Sequence, residues 1–459
     1  MLVEMTKAHM GSLSKNVPEV KLVNLYLAQN PLTPSGVSYI SRPSVSQVLA
    51  TLPTSPIRGI FYQQGWLNDT LFVVSGDTLY SVKETGTFTV VGKVPGTSLC
   101  HFCSTSFHTL ILSDGIVYLF DGSGVTSVAA PDNLLFSDVS SLNNYFVLVV
   151  NQSNKFFWIA PGDDFIDPLS FASAESNPDY LQSVKTVSDE LWFLGNTTTE
   201  VWSPSGDSNA PFLRVSGRVF NSGCVSNLSA VSALVDTLPC IIWVSPSNEV
   251  LLGQGGVNKI STDFVEEVLK DSAYYRSWYF RRQRNDFYVL STDKLTLVYD
   301  LSAQTWYKWS TFNLPYWFAT TGVQKNGTVF VTDILTSSNI YTLEEQAKDN
   351  VTDWLVCEVS GIIPNPTRAS IACNSLDVGA NFGYASIYGT SPIIELRWSD
   401  DQGANWATYL QNVLGARGST KEEVSFRSLG RINQPGRLIE IRFSGVDNFR
   451  LDYINMNGD

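Results

Sequence analysis

Charge is scarce in this sequence. Only 16% of its 459 residues are Asp, Glu, Lys or Arg, against the usual quarter of a globular chain, while 44% are hydrophobic and 12% aromatic. That balance excludes extensive disorder, because the chain can bury enough apolar area to offset the entropy of ordering it. Bases are in deficit as well: 30 Lys and Arg face 43 Asp and Glu, a formal net charge of −13. An acidic surface repels phosphates, which argues against a protein that grips duplex DNA. Long apolar runs are missing. YFVLVV at 145–150 is among the longest, far short of the roughly 20 residues a bilayer requires, so neither a transmembrane helix nor a membrane anchor is expected. The N-terminal MLVEMTKAHMGSLSKN has no apolar h-region, which argues against an ordinary secretory leader and for synthesis and assembly in the cytoplasm.

Reactive side chains are equally sparse. Six cysteines (Cys100, Cys103, Cys224, Cys240, Cys357 and Cys373) are too few for a disulfide scaffold of this length, so reduced and mostly buried thiols are expected. The three histidines, His9, His101 and His108, have no nucleophile context, which leaves no Ser-His-Asp or Cys-His arrangement. Cys100, His101, Cys103 and His108 carry zinc-ligating side chains, but LCHFCSTSFHTLIL is an apolar, strand-like run with no second cysteine pair to close a tetrahedron. Core thiols and a strand-end histidine are the simpler reading. With no Gly-rich phosphate loop either, no metal, cofactor or catalytic activity is expected.

Helix is nearly absent too. The clearest case is STDFVEEVLKDS at 261–272, where Asp263 and Glu266 read as a capping box and Phe264, Val265, Val268 and Leu269 form one apolar face.

What the chain does contain is strand. From about residue 57 a β-branched and aromatic run, a polar turn and a second such run recur. In order these hairpins are LFVVSGDTLYSV (from 71), LILSDGIVYLF (110), YFVLVVNQSNKFFWIA (145), LWFLGNTTTEVW (191), IIWVSPSNEVLL (241), DFYVLSTDKLTLVYDL (286) and TVFVTDILTSSNIYTL (328). Their starts are 39, 35, 46, 50, 45 and 42 residues apart, close to the roughly 40–50 residues of a four-stranded propeller blade. A lone hairpin is marginal in water, whereas blades stacked radially bury both sheet faces and leave only short edges. The pattern predicts an all-β fold, a β-propeller of six to eight four-stranded blades over 51–350; a pair of β-sandwiches is the alternative. Residues 1–50 read as an N-terminal arm or blade-closing segment. From 351 the blade rhythm breaks, and the charge changes with it: 51–240 holds 17 acids and 7 bases, 361–459 holds 10 and 9. A separate C-terminal β-rich unit over 351–459 fits both.

Three groups of residues invite a functional reading. Ser399, Asp401, Gly403 and Trp406 in SDDQGANW fit S-x-D-x-G-x-x-W, the Asp-box, a tight turn in which Ser and Asp bond turn amides and Gly takes the positive φ. Asp-boxes are frequent in sialidases, so a glycosidase is one alternative, yet here a single box lies outside the repeat. In YYRSWYFRRQRNDFY at 274–288, Arg276, Arg281, Arg282 and Arg284 interleave with aromatics, the composition of single-strand binders. Exposed arginines along one side of a strand, or a loop docking an acidic protein neighbour, fit equally well. Asp69, Asp77, Asp114, Asp121, Asp163, Asp164 and Asp167 fall in inter-strand turns, where they either line a channel or sit at solvated loop tips.

Three stretches resemble the packaged-DNA stabilisation proteins, the tail hub or nozzle family of short-tailed bacteriophages. The first is LWFLGNTTTEVWSPSGDSNAPFLRVSGRVFNSGC, with Gly195, Thr199, Glu200, Trp202, Pro211, Phe212, Arg214, Gly217 and Gly223. The second is FYVLSTDKLTLVYDLSAQTWYKWS. The third is LRWSDDQGANWATYLQNVLGARGSTKEEVSFRSLGR, with Trp398, Ser399, Asp401, Gly403, Trp406, Gly415, Arg427, Leu429, Gly430 and Arg431. The first fifty residues match poorly. The resemblance implies a structural virion protein of the phage tail, without catalysis. It further implies a homohexamer continuing the channel of the portal and its adaptor, meeting a tail fibre, spike or needle, and retaining packaged dsDNA until ejection. Six acidic copies would make a wall along which duplex DNA slides without sequence-specific binding, whereas a basic wall making 6–10 phosphate contacts would hold it tightly. A monomeric binding propeller remains the other alternative.

Overall fold

A computed structural model describes residues 1–10, 19–65, 70–174, 179–333, 337–349, 352–385, 392–419 and 423–458. These form two compact units, each built from discontinuous segments: one takes in 48–282 and 319–341, the other 1–47, 283–318 and 342–459.

The first unit is a β-propeller. Five consecutive four-stranded antiparallel sheets hold their strands in chain order. Their first strands are Ile57–Phe61, His101–Ser104, Phe136–Leu142, Leu181–Val187 and Val231–Val235. A sixth first strand, Tyr275–Arg282, and a seventh, Thr321–Lys325, continue the series. The seventh pairs with Thr328–Thr332, and Ala50–Thr51, from the other end of the unit, closes that last blade by pairing with Asn339 and Ile340. Neighbouring first strands are tied by polar bonds. Cys100 N donates to Arg58 O at 2.8 Å, Ser141 Oγ to Ser104 O at 2.9 Å, Thr186 Oγ1 to Ser141 O at 2.8 Å, Ser232 Oγ to Thr186 O at 2.9 Å, and Ser277 Oγ to Leu228 O at 3.1 Å. The sixth and seventh are joined through Gln324, whose side chain bonds both Arg281 N and Arg281 O, and the seventh packs back on the first. Seven first strands therefore ring one axis among the described residues.

The outer strands show why a hairpin repeat folds this way. Side chains alternate between the two faces of a strand, and in Tyr145–Val150 both faces are apolar. Phe146, Leu148 and Val150 pack with Leu110, Leu112, Val117 and Leu119 of the preceding blade, whereas Val147 and Val149 pack with Val184, Leu191 and Phe193 of the following one. Trp192, Ile241 and Trp243 join the next pair. The ring closes through Ile57, Leu71 and Val73 against Phe330 and Ile340. The blades joined by these clusters thus share their cores with the blades on either side.

In the helix Asp263–Lys270, Val265, Val268 and Leu269 are buried as the sequence predicts. The capping box is absent: the N-cap is Thr262, which makes no side-chain cap bond, and Glu266 instead accepts from Ser261 Oγ at 2.8 Å and pairs with Lys259. A nearby cation outbids the cap for the carboxylate.

The second unit holds two large sheets. One runs in space from Asn285–Thr292 through Thr296–Asp300 and Thr305–Trp309 to Leu22–Val23, then Cys357–Pro364, Gly436–Ser444, Ile393–Ser399 and Leu410–Val413; the other runs Leu25–Gln29, Val37–Ser41, Arg450–Asn457, Ser375–Ala380, Glu423–Arg427. Leu22–Val23 bridges the first sheet, parallel to Thr305–Trp309 and antiparallel to Cys357–Pro364. Arg42 fixes the N-terminal segment. Its guanidinium is buried and bidentate on the buried Asp349, at 2.5 and 3.1 Å, and also donates to Asn24 Oδ1, Pro43 O and Ser310 O.

Candidate functional site

The first strands of the propeller are rich in small polar residues, and their inner ends surround a cavity of about 160 Å3 at the hub. Arg58, His101, Lys185, Asn227, Arg276 and Thr321 line it, contributed by or beside six different first strands. The organising group is Asp138 on the third, fully buried. Lys185 Nζ donates to its Oδ2 at 2.7 Å, His101 Nδ1 lies 3.0 Å from its Oδ1, and Ser183 Oγ and the Val184 amide also donate to it. Burial alone would push this carboxyl up, but the charges of Lys185 and His101 and the bonds they make outweigh it and hold it far below the ordinary range. Asn227 extends the network, donating to Ser137 O at 2.6 Å and meeting His101 Nε2 at 3.3 Å.

The arginines singled out by composition divide. Arg276 reaches the hub cavity. Arg276, Arg281 and Arg282 are half-buried rather than lined up as an exposed row, because they lie on a first strand flanked by two others; Arg284, exposed, follows that strand. Four interleaved cations therefore do not form one surface track.

The turn acids also divide. Asp77 and Asp114 sit between second and third strands, while Asp121, Asp163, Asp164 and Asp167 sit between third and fourth strands. In an antiparallel sheet those turns lie at opposite ends, and none is on a first strand. Asp69 lies outside the described residues. Local bonds keep several of the acids ionised. Asp121 accepts from the Gly124 and Ser123 amides and Ser123 Oγ, which lowers its pKa to about 2. Asp114 takes the Thr97 and Ser98 amides at 2.8 Å and is lowered, first by its bond with Ser98. Asp77 is lowered, first by Lys93, whose Nζ lies 2.9 Å away.

The Asp-box forms its turn in the second unit. Ser399 Oγ donates to Asp401 Oδ1 at 2.7 Å and accepts from Gly403 N at 2.8 Å, and Asn405 donates to Asp401 through its amide and its side chain. These bonds, the Asn405 amide first, bring Asp401 to about 2, and Gly403 has φ +92°. Trp406 stacks on the Arg397 guanidinium at 4.6 Å. Arg397 in turn bonds the buried Glu440 at 2.9 Å. Ser399 and Asp401 are thus used by the turn itself, while Asp400 beside them pairs with Arg437. Cys103, Cys224, Cys240, Cys357 and Cys373 are buried, Cys100 is half-buried, and all six are free thiols. Among the described residues no three His, Cys, Asp or Glu converge in a metal-holding group.

A family model described as bacteriophage P22 Gp10, β-propeller, matches residues 19–348. The chain belongs to this phage stabilisation family. It is a phage structural protein, and its place is the virion. The match spans the first two resemblance stretches and ends before the third. It also begins at residue 19, which corrects the expectation that the first fifty residues match poorly: Leu22–Val23, Leu25–Gln29 and Val37–Ser41 within that region are paired strands. No curated protein sequence matches the chain. Solved structures similar to it include BBS1N in complex with ARL6DN, at 11% identity and TM-score 0.41 over 66% of this chain and 92% of that one. PorZ of the type-IX secretion system of Porphyromonas gingivalis matches at 12% and 0.38 over 80% and 45%. Likeness of this strength assigns no function.

Proposed function

We propose that the chain forms a homohexameric tail hub, or nozzle, that continues the channel of the portal and its adaptor, retains packaged dsDNA and lets it pass at ejection. Membership of the phage stabilisation family across 19–348 is the observation that carries this reading. The charge supports it. Each copy carries −13, and the turn acids Asp114 and Asp121, bonded to amides and hydroxyls, stay ionised at neutral pH, so the surfaces they occupy repel phosphate rather than bind it. Tail fibre, spike or needle proteins are the further partners this role requires, and no step of it needs a cofactor or catalytic residue.

Light scattering on purified protein mixed with its connector tests the assembly. A species of six copies, each of 50.7 kDa, and no measurable binding to a dsDNA fragment at 50 mM salt support the reading, where a basic wall would show affinity falling steeply with salt. A monomer that persists in the presence of the connector contradicts it.

A further inference from the structure

The hub cavity contains more positive charge than its own acids neutralise. Arg58 is buried, and its guanidinium donates to Gly76 O, Ser98 O, Ser113 Oγ and Val94 O, all uncharged. Lys185 and His101 share the single carboxylate of Asp138. Among the described residues Arg276 Nε and Nη1 are enclosed without a hydrogen-bond partner, and its guanidinium stacks 4.6 Å over the Tyr274 ring. Burial pulls its pKa down despite the more distant charge of Asp333. Enclosed N–H donors left unmet cost free energy that an acceptor in the cavity recovers. Arginine's planar guanidinium fork also matches oxyanions that accept through more than one oxygen, phosphate among them.

We propose that this cavity binds a small tetrahedral oxyanion, phosphate or sulfate, which accepts from Arg276 beside the charges of Arg58 and Lys185 and so ties the ring of first strands together at its centre. The volume suits such an ion. About 160 Å3 exceeds the roughly 30 Å3 share of one water several-fold, yet is far too small for a strand of nucleic acid. The ion would complete a site to which five of the seven first strands contribute: Arg58, His101, Lys185, Arg276 with Ser277, and Thr321.

Isothermal titration of the full-length chain with sodium phosphate, and separately with sodium sulfate, in chloride buffer at constant ionic strength tests this. The expected result is saturable heat at one site per chain and a melting temperature that rises with ligand concentration by mass action. Arg276→Gln should weaken binding by about tenfold or more, whereas Lys155→Gln, at an exposed position in the third blade, should leave it unchanged. Absence of saturable heat with wild-type protein means that the cavity holds water only and overturns the proposal whatever the variants do. An undiminished isotherm in folded Arg276→Gln overturns it equally, and an isotherm with only one of the two anions identifies the ligand.

Discussion

Asp138→Asn destabilises the propeller unit by about 1–3 kcal/mol, read as a lowered urea midpoint, because it leaves the half-buried Lys185 without its countercharge and the hub network without its central acceptor. Truncating the cation at the same time, as Asp138→Asn with Lys185→Met, recovers part of that loss, since removing both partners of a buried pair costs less than removing one. Equal loss in the single and double variants would show that the carboxylate acts only through Ser183 and the Val184 amide. The pH dependence has a definite sign. The folded pKa of Asp138 is depressed, so its contribution is complete above the unfolded value near 4 and is lost as pH falls through the folded value. Wild-type stability should hold from pH 7 to about 4 and then decline, and the Asn variant should lack that part of the decline.

The second large effect belongs to the other unit. Asp349→Ala strands the Arg42 guanidinium in a buried site and removes the acceptor of the Val45 amide, bonded at 2.9 Å. The expected cost is about 3–5 kcal/mol, and Arg42→Met combined with Asp349→Ala should cost less than either single change, because no buried charge is then left behind. Hydrogen exchange should locate the damage at residues 22–45, since Arg42 is what binds Asn24 and Ser310 to this segment. A loss spread evenly over the unit, or a double variant that loses as much as the sum of the two single changes, would contradict the assignment.

The parts of the fold that were legible in the sequence are those with a two-sided apolar pattern. Six of the seven hairpins quoted from the sequence coincide with second and third strands of the propeller unit, because runs such as YFVLVV must bury both faces between blades; the sixth, DFYVLSTDKLTLVYDL, forms the paired strands Asn285–Thr292 and Thr296–Asp300 of the second unit. First strands were harder to see. FSDVSSL and LQSVKTV alternate small polar residues that bond neighbouring strands rather than an apolar core, so they carry no strong strand signal. Asp138 was missed for the same reason. It stands in a serine-rich run as though in a loop, and only the ring topology brings it to Lys185 and His101 from the adjacent blades. The one available cue was a charge within a seven-residue segment otherwise free of it. The arginine run was conspicuous, but its composition could not show that one member, Arg276, turns inward to the cavity. Leu25–Gln29 and Val37–Ser41 pair locally, but the remaining partners of the N-terminal strands are remote in sequence, as with Val23 beside Lys308 and Ile40 beside Arg450. The Ser399 and Asp401 bonds of the Asp-box lie within seven residues, so the turn was readable from the motif, whereas the contacts of Trp406 with Arg397 and of Asp400 with Arg437 were not.

Genome retention in particles assembled without this protein tests the proposed role most directly. Heads filled in its absence should lose their DNA, measured as nuclease-sensitive genome, and adding the purified wild-type chain to freshly filled heads should restore nuclease resistance. Filled heads that keep a nuclease-resistant genome without the protein, and eject it normally, would contradict the role of a stabilising hub.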